Sequence, residues 1–387
     1  MKIAHIITRL DRGGSSDVVL TLFQRFLALG HDVTLIYGKT DDYPEGFPPI
    51  LERNRQRIKY LPFLRREINV FRDPLSFYTL VSILRKGSFD LVHTHTSKAG
   101  FLGRLAARVA GVPMIVHAPH GHIFYGYHGR LTSGVFIFLE KMAARWCDRI
   151  ITLTGMGKRD HIRFGIAAPD KFVPIYCGID LERFEAPANG SAGIRRELGI
   201  ADGDPVIGTV SRLVPIKGCE NFIRAFKGIQ SDIPNARAVI VGDGPLRAGL
   251  EGLTKELGLE REVIFTGARI DTPELLREFD VYVQSSLNEG LGRSIVEAMA
   301  SGRCVVATRV GGVPEIVEDR VTGILVEPED PEALRAAVVG LLRDDASRAA
   351  FGDRGRVRAN ELFGEDRMIE RTERLYRELA EGKGAKR

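Results

Sequence analysis

The chain predicts two α/β domains, each a doubly wound parallel sheet, and three observations carry that prediction. A buried strand, a glycine turn, a helix and a second strand follow one another from Lys2–Ile7 through Asp11–Ser15 to His31–Tyr37, which is how a doubly wound sheet begins. The same pattern restarts at Val206–Val210, and the stretch between, Glu185–Gly193, is small, polar and rich in turn formers. The 387 residues also exceed the ~250–300 at which a single core stops growing. Domains are therefore expected over residues 1–186 and 187–362. A last amphipathic helix and a disordered tail from Glu381 are expected over 363–387.

In the first half, Val18, Val19, Leu22, Phe23, Phe26 and Leu27 recur at helical spacing and stop at Gly30. The Gly13-Gly14 turn before them lacks the third glycine of a dinucleotide fingerprint. Gly38-Lys39-Thr40 ends like a P-loop, but position 33 is Val where that motif needs Gly. Residues 53–72 carry seven Arg and Lys among Tyr60, Leu61, Phe63 and Leu64. They read as a solvated loop, with contact to anionic lipid or a diphosphate-linked acceptor as the sharper alternative. Phe89–His95 is a strand, and a helix starts at Ser97. His93 and His95 alternate like a metal pair but have no carboxylate or Cys nearby, so they read as strand-end packing. Val112–Ala118 is a strand followed by Pro119-His120-Gly121-His122. A loop at the carboxyl end of a parallel strand faces the ligand crevice, where His120 can act as acid or base or supply backbone contacts to a sugar. Leu131–Arg145 reads as a core helix, or else as a membrane-touching patch. Arg149–Leu153 and Phe172–Asp180 close the half.

In the second half, Ser211-Arg212 leaves a strand and reaches Lys217-Gly218 across a turn containing Pro215, so both cations can meet one diphosphate. Ala236–Val241 ends in Gly242-Asp243-Gly244-Pro245, and Val263–Gly267 runs into Arg269. Asp280–Ser286 is a buried strand entering Glu289-Gly290-Leu291-Gly292-Arg293, after which Ile295, Val296, Met299 and Ala300 turn helical. Glu289 then lies in the loop and Glu297 about a turn into the helix. Amides of Gly290–Arg293 point outward at the helix's positive end. A phosphate suits that end and carboxylates suit sugar hydroxyls; a sugar nucleotide offers both. Cys304–Thr308, Gly311–Glu318 and Gly323–Pro328 continue the α/β pattern.

Charge narrows the partners. Residues 1–185 hold 26 Lys+Arg against 17 Asp+Glu, and the remainder 29 against 33. The basic first half points to something anionic, a phosphorylated acceptor or a membrane surface. It lacks the interleaved aromatics of a nucleic-acid binder, so no nucleic acid is expected. The four cysteines are scattered without paired spacing, which argues against a disulfide framework or a zinc site. Arg9 ends the first apolar run too early for a signal peptide, and no run nears the ~18–20 residues that cross a bilayer. A cytoplasmic protein, free or peripheral on the inner leaflet, is expected.

Taken in order, the Gly13-Gly14 and His120-Gly121 loops, Arg212…Lys217-Gly218, Gly242-Asp-Gly-Pro245, Glu289 with Glu297, and Gly311-Gly-Val-Pro-Glu315 resemble glycosyltransferase family 4, the retaining GT-B enzymes. The resemblance spans nearly the whole chain. It implies two Rossmann-like domains facing a cleft, with the last helix crossing back to the first domain. It further implies that Glu297 holds ribose hydroxyls, Glu289 holds the transferred sugar, and Arg212 and Lys217 stabilise the departing diphosphate, with His120 reaching the sugar from the other domain. The catalytic set is then His120, Glu289, Arg212 and Lys217. Gly13, Gly14, Gly244, Arg269, Gly290, Leu291, Gly292 and Arg293 join the donor-binding set. No cofactor or metal is implied; the donor is UDP- or GDP-linked. The loops around Thr94–Gly100 and His120 are similar to members acting on polyprenyl-diphosphate-linked glycans in capsule, exopolysaccharide or O-antigen synthesis. Arg293, Cys177 and Ser16 depart from the family pattern, where an apolar or small residue, Asn and Glu are usual. Two other readings share the architecture. A nucleotide-sugar epimerase would convert donor alone, and a non-catalytic sugar-nucleotide-binding subunit would bind without turnover.

Overall fold

The computed structural model describes residues 1–44, 46–121, 129–185 and 191–384. His122, much of the boundary stretch and the last three residues lie outside them. The chain divides into two compact units, Met1–Gly178 with Glu365–Arg387, and Ile179–Gly364.

The first unit holds seven strands: β1 (Lys2–Ile7), β2 (Asp32–Gly38), β3 (Ile58–Leu61), β4 (Leu91–His95), β5 (Met114–Ala118), β6 (Arg149–Thr152) and β7 (Phe172–Pro174). They pair in parallel in the order β3-β2-β1-β4-β5-β6-β7. Strands β4 and β5 are buried throughout and β1 nearly so, as a sheet covered on both faces requires. Three expectations are corrected here. Ile58–Leu61 is an edge strand within the supposed basic loop: Ile58 and Leu61 turn inward while Lys59 and Tyr60 stay exposed, the alternation an edge strand needs. The helix Arg130–Ala144 buries Ala143 and Ala144 but exposes Leu131, Val135 and Phe138, so it is not a core helix along its length. The final helix, Glu365–Gly384, runs on where a disordered tail was expected at 381–384, and Lys383 Nζ reaches Asp148 Oδ1 at 2.8 Å. That helix packs within the first unit, its Tyr376 ring against Phe26 and its hydroxyl 2.7 Å from His93 Nδ1.

The second unit holds β8 (Val206–Val210), β9 (Arg237–Val241), β10 (Val263–Gly267), β11 (Val281–Gln284), β12 (Cys304–Thr308) and β13 (Gly323–Val326), parallel in the order β10-β9-β8-β11-β12-β13. It begins at Ile179 instead of 187, because Ile179 N–H donates to Phe363 O (2.9 Å) and Ile179 bridges Gly364. The helix Asp345–Phe363 was not anticipated. Its buried residues include Gly352, Gly355 and Ala359, small side chains that admit close packing without marking an apolar stripe.

Both sheets reverse their winding beside their first strand, between β1 and β4 and between β8 and β11. In an open α/β sheet the ligand crevice lies outside the carboxyl ends of the strands at such a point.

Candidate active site

In the second unit the loops leaving β8 and β11 meet at that reversal. Lys217 ends a short 3-10 turn, Pro215–Lys217, and its Nζ lies 2.5 Å from Glu289 Oε2. Both side chains are largely buried, at 16% and 11% exposure, so the pair is screened far less than a surface ion pair. Ser286 Oγ donates a second hydrogen bond to Glu289 Oε2 at 3.1 Å. Ser286 in turn accepts from Gln284 Nε2 (2.7 Å), and Gln284 Oε1 accepts from Tyr282 OH (2.6 Å) and Ser294 Oγ (3.2 Å). Tyr282, Gln284 and Ser286 alternate along β11 and its continuation, so they share one face. Burial first, with the Glu297 and Glu289 carboxylates adding to it, holds the Tyr282 hydroxyl far above its ordinary pKa. It is therefore a fixed proton donor at the base of the chain.

The backbone pins Glu289 from the other side. Gly312 N–H donates to Glu289 O at 3.1 Å. Gly311 has φ +48°, and a Cβ there would stand 1.9 Å from the same oxygen, so only glycine fits. Gly292, in the left-handed region at φ +83°, caps the helix Arg293–Ala300 with no side-chain hydrogen bond at that end. A Cβ on Gly292 would meet Glu289 Cγ at 3.2 Å, so the loop Gly290–Gly292 folds back on the carboxylate. Leu291 is buried beneath it, and Arg293 and Glu297 are half-buried on the helix.

The other predicted residues fall as follows. Arg212 is exposed just past β8 and makes no ion pair among the described residues. Gly244 lies where a Cβ would come within 2.5 Å of Leu213 O, so its role is to let the loops after β8 and β9 touch. Arg269 has its guanidinium engaged by Asp271 (2.8 and 2.6 Å) and by Glu197. It ties the turn after β10 to the helix Ser191–Glu197.

Gly13, Gly14 and His120 belong to the first unit. Gly13 caps the helix Gly14–Ala28. Thr8, at the end of β1, and Thr96, past β4, join through their hydroxyls at 2.9 Å. His120 follows β5 with φ +56°, an unusual conformation for a residue with a Cβ, and its Nε2 lies 2.8 Å from His95 Nδ1. Sequence reasoning missed this contact and also missed Ser286, Gln284 and Tyr282. The available signal was the polar alternation within a strand that is otherwise apolar. Nitrogens of His5, His93 and His95 lie within 4.8 Å of one another, but both of His95's nitrogens already bond other imidazoles.

A cation and a carboxylate held together on glycine-tight loops beside a helix amino terminus can grip a sugar phosphate. The comparisons with known proteins agree. A "Glycosyltransferase Family 4" model matches residues 12–183 and a "Glycosyl transferases group 1" model matches 191–358. The chain is 33% identical over 351 residues, 89% of its length and 88% of the relative's, to an Escherichia coli protein named UDP-Gal:alpha-D-GlcNAc-diphosphoundecaprenol alpha-1,3-galactosyltransferase. It is 32% identical over 388 residues (95% and 86%) to the D-inositol 3-phosphate glycosyltransferase of Streptomyces scabiei. Among solved structures, Anabaena Alr3699/HepE in complex with UDP-glucose matches with a TM-score of 0.81 at 25% identity, covering all of both chains.

Proposed function

The chain belongs to glycosyltransferase family 4, and on that footing we propose that it transfers a hexose from a nucleotide-diphosphate donor, UDP- or GDP-linked, to a hydroxyl of a polyprenyl-diphosphate-linked glycan, with retention and without a metal. The observation that carries this reading is the Lys217–Glu289 pair at the β8–β11 reversal. The names of the E. coli relative and of the UDP-glucose complex favour a UDP-hexose and a lipid-linked acceptor. An α-linked product from a UDP-hexose whose own anomeric bond is α keeps its configuration.

In this reading the acceptor hydroxyl oxygen bonds to C1 on the face from which the C1–O bond to the diphosphate breaks. Its proton passes to the departing phosphate oxygen, giving the glycoside and UDP. Charge grows on the diphosphate as that bond breaks. Arg212 and Lys217 are read as the cations that meet it in place of a metal, and cations fixed beforehand lower the barrier without reorganising. Lys217 has three N–H donors, so it can hold Glu289 and a phosphate oxygen together. Glu289 Oε2 is taken up by Lys217 and Ser286, which leaves Oε1 for sugar hydroxyls. Glu297 takes the ribose. The basic first unit, with its exposed apolar side chains, supports reading the reaction as one at the cytoplasmic face of an anionic membrane.

The test is incubation with UDP-galactose or UDP-glucose and a GlcNAc-diphospho-lipid acceptor, with NMR of the product's anomeric proton. An α product, undiminished by EDTA, is expected, as is a loss of about 100-fold or more in Lys217→Ala and Glu289→Ala. A β product would overturn retention, and activity abolished by EDTA and restored by a divalent cation would overturn metal independence. Full turnover by both variants would overturn the site.

A further inference from the structure

A glutamine stands near the middle of the second unit's sheet, where packing alone asks for none. Gln284 ends β11 at 1% exposure, and Val281 and Val283, on the other face of that strand, belong to the apolar core. A buried amide is tolerated when it is hydrogen-bonded, and this one is bonded on both sides. Its Oε1 faces Tyr282 OH at 2.6 Å and Ser294 Oγ at 3.2 Å, and its Nε2 faces Ser286 Oγ at 2.7 Å.

The far end of this chain fixes its direction. Glu289, paired with Lys217, presents an ionised carboxylate that can only accept. The single proton of Ser286 therefore points to Glu289 Oε2, 3.1 Å away. Ser286 then accepts from Gln284 Nε2, and Gln284 Oε1 accepts from Tyr282 and Ser294. Turning the amide over would set its oxygen against Ser286, so that one hydroxyl proton served two acceptors. Either the amide oxygen or the carboxylate would then face a bare lone pair. Tyr282 would also exchange an acceptor at 2.6 Å for Val210 O at 3.4 Å. One direction satisfies every group, and it runs from Tyr282 and Ser294 through Gln284 and Ser286 to Glu289.

We infer that Gln284 is a positioning residue: its amide directs the Ser286 proton to Glu289 and so sets the rotamer in which Oε1 of that carboxylate meets a hydroxyl of the transferred hexose. The inference rests on the sugar contact proposed for Glu289. An amide suits the place because it accepts on one side and donates on the other. A carboxylate would accept on both sides and compete for the Ser286 proton, and an aliphatic side chain would bond neither neighbour.

The experiment is a double-mutant cycle in the transfer assay with UDP-galactose or UDP-glucose, with inhibition by UDP measured beside it. Gln284→Met and Ser286→Ala should each lower kcat/KM for the UDP-hexose about tenfold, as for one lost hydrogen bond to a charged group. The double variant should be no slower than Ser286→Ala alone, since the amide acts only through that hydroxyl. UDP lacks the hexose, so its inhibition constant should hold within about twofold, whereas a role confined to supporting the strand would weaken both. With Glu289→Ala inactive, any one of three results would overturn the inference: wild-type turnover by Gln284→Met, additive losses, or a UDP constant that moves with kcat/KM. Wild-type turnover by Glu289→Ala would instead remove the sugar contact on which the inference rests. Should Gln284→Met fail to fold, Gln284→Glu decides. Its carboxyl, raised in pKa by burial, donates to Ser286 while protonated, as the amide does, and stops when ionised. The ratio of its kcat/KM to that of the wild type should fall as pH rises from about 6 to about 9, because the amide it replaces does not titrate. A level ratio would overturn the inference.

Discussion

Glu289 and Lys217 lie 72 residues apart, yet each is the other's nearest ionic partner. Their residue types and spacing to Glu297 and Arg212 were readable from the sequence because they sit in short loops with glycine punctuation. Their supporting chain, Ser286–Gln284–Tyr282, was marked only by polar alternation in an apolar strand, and its link to Glu289 shows only once the partners are known. The packing of the histidines was hidden for another reason: it depends on strand register, which sets His5 beside His93 and Ile7 beside His95. That packing has a consequence for stability. His5, His93, His95 and His117 are fully buried, and burial holds all four below the ordinary value of 6.5. The unfolded chain therefore takes up protons that the folded chain refuses. Their contribution is complete above pH 6.5 and declines as pH falls, by at most about 1.4 kcal/mol per pH unit for each ring. The urea midpoint should drop between pH 6.5 and 5, before the carboxylates titrate. A midpoint that is flat from pH 7 to 5 would contradict this.

At the scale of elements, the alternation of strand, turn and helix was readable almost throughout, since buried parallel strands and amphipathic helices carry strong periodic patterns. The exceptions share a cause. Asp345–Phe363 packs through glycine and alanine, Ile58–Leu61 is a four-residue edge strand, and Arg130–Ala144 leaves part of its apolar face uncovered. In each, tertiary neighbours decide what the local pattern does not. Gly311 illustrates how tightly one element fixes another, for its turn is built against the Glu289 carbonyl. Gly311→Ala combines a left-handed backbone with a steric clash, and should destabilise the second unit by roughly 2–4 kcal/mol and depress turnover. Calorimetry and the transfer assay check this together; wild-type values in both would show that the turn is not held as described.

For the molecule as a whole, charge asymmetry and surface texture agree. The basic first half presents Ile68, Val70, Phe71 (79% exposed) and Tyr78 beside Arg66 and Arg72, and on another helix Leu131 (91% exposed), Val135 and Phe138. Among the described residues no helix is long and apolar enough to cross a membrane. Apolar side chains rimmed by arginine suit the surface of an anionic bilayer. Sedimentation with vesicles should show binding that needs anionic lipid and weakens with salt. Arg66→Glu with Phe71→Glu should reduce it about tenfold or more, at ~1 kcal/mol per cation near the surface. Equal binding to neutral vesicles would refute the electrostatic part. The central claim concerns the second unit, and thermal stability with UDP-hexose reads it most directly, because a ligand bound only by the folded state raises Tm by mass action. UDP-galactose or UDP-glucose should raise the wild-type Tm in a dose-dependent way, while Lys217→Ala and Glu289→Ala, folded but lacking one arm of the pair, should lose most of that rise. An equal rise in both variants would contradict a donor site built on Lys217 and Glu289.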